Sequence, residues 1–187
     1  MKKIFTLAVI AVASAFGMSA GDFYSGGSFG FLHEQTSEVA TNRFTLIPEV
    51  GYNINQRWAV GTTIGYEYTH FNGWKIDTHM FEFNPYARYT AFTTGNGLIS
   101  LFTDLGVGFG AGCAKWDGHD SDTLFIWQIG ARPGLAINLT NNFSLVTHVG
   151  FLGYEGSNRT ALDYGYKRRG GITYDYNDIT FGFYCKF

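Results

Sequence analysis

The sequence predicts an all-β chain that closes into an eight-stranded antiparallel up-and-down barrel crossing a membrane. Three observations predict it. Phe (18), Tyr (12) and Gly (25) are abundant while only 15% of residues are charged. After residue 20, bulky apolar residues alternate with small or polar ones in eight runs, the two-residue period of a strand with unlike faces. The connections between runs alternate between short and long. Composition excludes other classes. A chain of 187 residues fits one domain, and 45% hydrophobic with 18% aromatic content excludes a disordered chain. Two cysteines are too few for a disulfide scaffold. A formal charge of −2 offers no basic footprint, so no nucleic-acid partner is expected.

Residues 1–20 read as a secretory signal peptide: Lys2 and Lys3, the apolar run Ile4 to Phe16, then Met18-Ser19-Ala20 before the expected cut. That run is about a dozen residues, short of the roughly 20 needed to cross a bilayer as a helix. The barrel domain is then residues 21–187. Loss of Lys2 and Lys3 takes the 13 bases to 11 against 15 acids, a mature charge of −4.

The first run is Phe23 to Leu32. The second, Phe44 to Asn53, sets Phe44, Leu46, Pro48, Val50 and Tyr52 against Thr45, Ile47, Glu49 and Gly51. The third, Trp58 to Tyr68, sets Val60, Ile64, Tyr66 and Tyr68 against Ala59, Gly61, Thr63, Gly65 and Glu67. In the fourth, Phe81, Phe83, Pro85, Ala87 and Tyr89 oppose Glu82, Asn84, Tyr86 and Arg88. In the fifth, Ile99, Leu101, Leu105, Val107 and Phe109 oppose Ser100, Phe102, Asp104, Gly106 and Gly108. The sixth carries Phe125, Trp127, Ile129, Leu135 and Ile137 against Gln128, Gly130, Arg132, Gly134 and Asn138. The seventh places Phe143, Leu145, Val149 and Phe151 opposite Ser144, His148 and Gly150. The eighth places Ile179, Phe181, Phe183 and Phe187 opposite Thr180, Gly182, Tyr184 and Lys186.

Long connections are expected at 33–42, 69–79, 111–122 and 155–178, and short ones at 54–57, 91–97 and 139–142. Tight turns on one side and long loops on the other are the layout of outer-membrane barrels, and runs of about ten residues match the 9–11 that a tilted strand needs to cross. A secreted lipocalin-like barrel, the inverse arrangement, would turn its apolar face inward around a ligand. Size decides between them: eight strands enclose room only for their own side chains or one small ligand, so the bulky face belongs outside. Tyr52, Trp58, Tyr66, Tyr68, Tyr89 and Trp127 lie near run ends, where an aromatic girdle is expected.

The segment Pro48-Glu49-Val50-Gly51-Tyr52, the turn after it and Trp58-Ala59-Val60-Gly61 resemble the second hairpin of the outer-membrane β-barrel domain family, the small eight-stranded OmpA/OmpX-type barrels of Gram-negative bacteria. The closing Phe181-Gly182-Phe183-Tyr184-Cys185-Lys186-Phe187 is similar to that family's C-terminal assembly signal, with aromatic Phe187 last. The resemblance implies outer-membrane localisation, contact with outer-membrane lipids and lipopolysaccharide, and handling by the barrel-assembly machinery. It implies no particular reaction, since members are variously structural, adhesive or protective.

The inward face carries Arg43, Glu49, Glu67, Glu82, Arg88, Asp104, Arg132, His148 and Lys186. Unpaired ions in a dry lumen cost several kcal/mol each, so opposite signs should interleave. Hairpin arithmetic sets Arg43 against Glu67, Glu67 near Glu82, and Arg132 near both Asp104 and His148. The expected result is a polar plug; a proton or ion path is the alternative. Glu67 with Glu82 also reads as a carboxylate pair for acid–base work, which Arg43 between them disfavours.

Lys115-Trp116-Asp117-Gly118-His119-Asp120-Ser121-Asp122 reads as an exposed loop whose His, Ser and acids could suggest a hydrolase or cation site, though Asp-Gly is ordinary turn chemistry. Lys167, Arg168 and Arg169 would suit lipopolysaccharide phosphates; pairing with Glu155, Asp163, Asp175 or Asp178 is the competing reading. Tyr164, Tyr166, Tyr174 and Tyr176 could form an adhesive surface for an unknown ligand. Gly106 to Gly112 alternates glycine with no helix expected after it, a strand and not a dinucleotide loop. Cys113 and Cys185 fall near opposite rims, out of disulfide reach. The functional expectation is a non-enzymatic outer-membrane barrel without cofactor or metal, acting structurally or through four long surface loops. An outer-membrane lipid-modifying enzyme is the alternative.

Overall fold

The computed structural model describes residues 23–35, 40–72, 75–116, 119–173 and 180–186. The signal segment, Phe187, Ile179, the Asp117-Gly118 tip, Tyr174, Asp175, Tyr176 and Asp178 lie outside the described residues. Ten β segments are present: β1 (Phe23–Gln35), β2 (Ala40–Asn53), β3 (Trp58–Phe71), β4 (Ile76–Thr93), β5 (Ile99–Trp116), β6 (His119–Asn138), β7 (Phe143–His148), β8 (Phe151–Ser157), β9 (Arg169–Thr173) and β10 (Thr180–Lys186). One helix, α1, covers Arg159–Asp163.

Consecutive strands β1 to β6 pair antiparallel, β7 and β8 both pair with β6, β10 joins β7 to β1, and β9 pairs with β8. β7 and β8 are one barrel strand in two pieces along β6, and β9 and β10, paired to β8 and β7, together take the place of the eighth. The result is the expected closed eight-stranded antiparallel barrel, which gives backbone groups partners without water.

The short turns are built from side chains that take up backbone donors. Asn55 Oδ1 accepts from Arg57 N and Trp58 N, both at 2.9 Å, and Thr140 Oγ1 accepts from Phe143 N at 3.0 Å.

Three expectations are corrected. Most residues assigned to long loops are strand: β3 and β4 stay paired to Phe71↔Ile76, β5 and β6 to Trp116↔His119, and β1 and β2 to Gln35↔Ala40. Above the lipid both faces are wet, so the apolar alternation that marks a strand fades although the backbone ladder continues. Lys115, Trp116 and His119 to Asp122 of the supposed loop are therefore strand, with Lys115↔Asp120 in register.

Second, the partner of β6 slips by one residue between Gly134↔His148 and Ala131↔Leu152. The extra residue is a bulge at Val149-Gly150, with Gly150 at φ +72. Parity reverses beyond it, so Phe151, expected outside, is 6% exposed and faces inward, while Leu152 and Tyr154 face out. Third, the 155–178 connection contains α1, whose cap Asn158 accepts from Ala161 N at 2.9 Å.

The bulky face points outward: Phe29, Ile64, Phe81, Phe83, Phe109 and Phe181 are all more than half exposed, whereas Glu49 (6%), Arg88 (7%) and Asp104 (7%) are buried. That is the inverse of a lipocalin. Ring pairs Phe23–Tyr52 and Trp58–Tyr89 mark the short-turn rim; Tyr66–Phe81, Tyr68–His79 and Trp127–Tyr154 mark the other. On β3, Trp58 to Tyr68 at about 3.3 Å per residue and a ~40° tilt spans about 25 Å, the height of an outer-membrane apolar band.

Candidate functional site

The barrel interior is layered. Nearest the short turns, Arg88 on β4 faces Asp104 across the β4–β5 register. Its Nε donates to Asp104 Oδ1 at 2.6 Å and its Nη2 to Asp104 Oδ2 at 2.7 Å, a bidentate fork. Nη2 also reaches Tyr184 OH at 2.8 Å and Glu49 Oε1 at 3.2 Å. Tyr184 OH in turn donates to Glu49 Oε2 at 2.8 Å, Tyr86 OH donates to Glu49, and Tyr24 OH lies 2.7 Å from Tyr86 OH. His148 Nε2 sits 2.8 Å from Asp104 Oδ2. The Phe102 ring centre is 4.1 Å from the guanidinium carbon, with Tyr184 at 4.9 Å and Tyr86 at 5.1 Å. Side chains from β1, β2, β4, β5, β7 and β10 thus meet in one polar knot.

Glycines make the room. A Cβ on Gly51 would come within 2.2 Å of the Tyr24 ring, and one on Gly134 within 2.4 Å of the Phe102 ring.

Above the knot lies a chamber of ≈ 570 Å³ lined in part by Arg43, Glu67, Glu82, Asn84, Arg132 and Glu155. Arg43 is opposite Thr69 in register, not Glu67, which faces Thr45. It reaches Glu67 diagonally, Nε to Oε2 at 3.7 Å. Asp104 and Arg132 are register partners, as the arithmetic gives. The side chains part, however: Asp104 is taken by Arg88 and His148, and Arg132 Nη2 donates to Gln128 Oε1 at 2.7 Å. Glu82 accepts a long bond, 3.4 Å, from Asn84 Nδ2. Lys186 lies at the short-turn rim, opposite Tyr24 in register.

Toward the far rim α1 packs on inward-facing side chains. Ala161 is fully buried against inward-facing Met80, Ala114 and Leu124. Asn158 ties the loop down, Nδ2 donating to Thr123 O at 2.8 Å. Tyr166 OH donates to Glu67 Oε1 at 3.3 Å. Burial, and then the Glu67 charge, push the Tyr166 hydroxyl well above its ordinary pKa, so it remains a donor. Arg168 Nε donates to Ser157 O at 2.7 Å and Arg169 pairs with Glu155, which leaves exposed Lys167 facing outward from the basic triplet. Tyr164 packs beside α1. Cys113 and Cys185 are free thiols on β5 and β10.

Sequence reasoning missed Tyr24 and the helical cap. Tyr86 and Tyr184 fall on the inward face by alternation, which does not by itself reveal their part in the knot; a hydroxyl-tipped ring amid glycines on the lumen face is the signal.

Apolar outside, ionised inside and closed by its own strands, the structure defines a small transmembrane β-barrel. The family model described as outer membrane protein beta-barrel domain matches residues 4–187, and the chain belongs to that family. It is thus an outer-membrane β-barrel protein whose apolar belt contacts lipid. The crystal structure of Neisserial surface protein A (NspA) is similar to it at 17% identity and a TM-score of 0.52, covering 88% of this chain and 97% of that one. The backbone structure of Yersinia pestis outer membrane protein Ail in a phospholipid bilayer nanodisc is similar at 19% identity and a TM-score of 0.46, covering 89% of this chain and 99% of that one. The NspA likeness concerns the fold alone. No curated protein matches the chain.

Proposed function

We propose that this chain is a non-enzymatic outer-membrane barrel with an occluded lumen, acting structurally and through contacts made by its extracellular hairpins. The observation that carries this reading is the Arg88–Asp104–Glu49 knot with His148 and three tyrosines, which crosses the interior from six strands. A guanidinium held by two carboxylates and boxed by rings is not mobile enough to pass solute. In the same reading, residues 1–20 direct export, Phe187 is read by the barrel-assembly machinery, and Lys167 beside Arg168 meets lipopolysaccharide phosphate. NspA is named as a surface protein, in keeping with a surface role here.

The experiment is purification from outer membranes followed by three readings. Heat-modifiable gel migration and absence of conductance steps in planar bilayers are expected. Stable steps would identify a pore, and any change in lipid A acyl chains on expression would identify the lipid-modifying alternative; either result overturns the reading.

A further inference from the structure

Among the described residues, two ionisable side chains of the chamber, Glu82 and Arg132, have no ion-pair partner. Among the described residues, Glu82 accepts only the 3.4 Å bond from Asn84, and Arg132 gives its one hydrogen bond to Gln128 and lies 5.7 Å from the Phe151 ring. An amide relay holds them apart. Arg132 donates to Gln128 Oε1, Gln128 Nε2 donates to Asn84 Oδ1 at 2.7 Å, and Asn84 Nδ2 donates to Glu82 Oε2. Thr63 Oγ1 anchors the middle, accepting from Asn84 Nδ2 at 3.2 Å.

Each relay end has spare capacity: a carboxylate offers about four acceptor sites and a guanidinium five donors, and one of each is used. The amides of Gln128 and Asn84 stand between Arg132 and Glu82 and keep the two from meeting. Both line the same ≈ 570 Å³ chamber. Other lining ions are spoken for, Glu67 by Arg43 and Glu155 by Arg169.

We infer that the chamber is a binding site for a small zwitterion, whose ammonium meets Glu82 and whose phosphate or carboxylate meets Arg132. The path along the relay, three hydrogen bonds and two amide groups, is on the order of 10 Å, which a short amino-phosphate with its own two hydrogen bonds spans. A planar guanidinium fork suits the anionic end. Such a group can come free from solution or as the headgroup of a zwitterionic lipid.

The test is calorimetric titration of the full barrel with phosphoethanolamine, in nanodiscs of phosphatidylglycerol and separately of phosphatidylethanolamine. In phosphatidylglycerol, phosphoethanolamine is expected to bind at least about ten-fold tighter than ethanolamine or inorganic phosphate, since each end adds a charge-assisted bond. Glu82→Gln should erase its advantage over phosphate, and Arg132→Gln its advantage over ethanolamine, in variants that keep heat-modifiable migration. Loss of the signal in phosphatidylethanolamine alone assigns the site to the lipid headgroup; binding in both assigns it to a free zwitterion. No binding in either, or equal binding of the three probes by the wild type, overturns the inference whatever the variants do.

Discussion

Arg88 is the residue on which the interior turns. Replacing it with Met leaves Asp104 and Glu49 buried without their counter-ion, a loss of about 3–5 kcal/mol. Arg88→Met is therefore expected to lower the urea midpoint of the refolded barrel well beyond the effect of Lys167→Met, which loses only a solvated charge. Equal shifts would remove Arg88 from the centre of the knot. Gly134→Val should also destabilise, because its Cβ would displace the Phe102 ring that covers the guanidinium; an unchanged midpoint would contradict that packing. Parity in the sequence was enough to place Arg88, Asp104, Glu49 and His148 on one face. It was not enough to say who pairs with whom. Register puts Arg132 opposite Asp104, but side-chain reach and the bidentate fork give that carboxylate to Arg88.

At the scale of the element, the apolar alternation shows where strands cross lipid and stops where they leave it. Phe81 to Tyr89 and Ile99 to Phe109 read clearly; Ile76 to Met80 and Ala111 to Trp116 did not, because neither face there must be apolar. The bulge was equally hidden. One glycine at Gly150 reads like any small lumen residue, yet its positive φ reverses every side chain from Phe151 to Ser157. Gly150→Val forces a β-branched side chain into a positive φ, and relief of that strain by strict alternation with the residue kept would turn Phe151 into lipid and Leu152 into the lumen, expelling the ring from beside Arg132. A lowered folded fraction by gel migration is expected; wild-type migration and midpoint would contradict the bulge. α1 is too short for helical periodicity to register. Ala161→Asp places a carboxylate against Met80 and Leu124, and should expose the cap to proteases that leave the wild-type loop intact. Equal cleavage of both proteins would count against the seated helix.

For the whole molecule, composition and alternation together carry the eight-stranded closed architecture, since small and charged residues are the ones a narrow interior holds. In the function proposed above, the lipid belt fixes the barrel in the membrane, while the knot and the α1 cap occlude what would otherwise be a channel. The direction in which each face points underlies all of this. Nitroxide labels placed singly along β3 and β4, at Ile64 and Phe83 on one face and at Thr63 and Asn84 on the other, would read it directly by collision with oxygen dissolved in the bilayer. Outward placement predicts high oxygen accessibility at Ile64 and Phe83 and low accessibility at Thr63 and Asn84, alternating with a period of two. The opposite alternation, or equal accessibility on both faces, would contradict it.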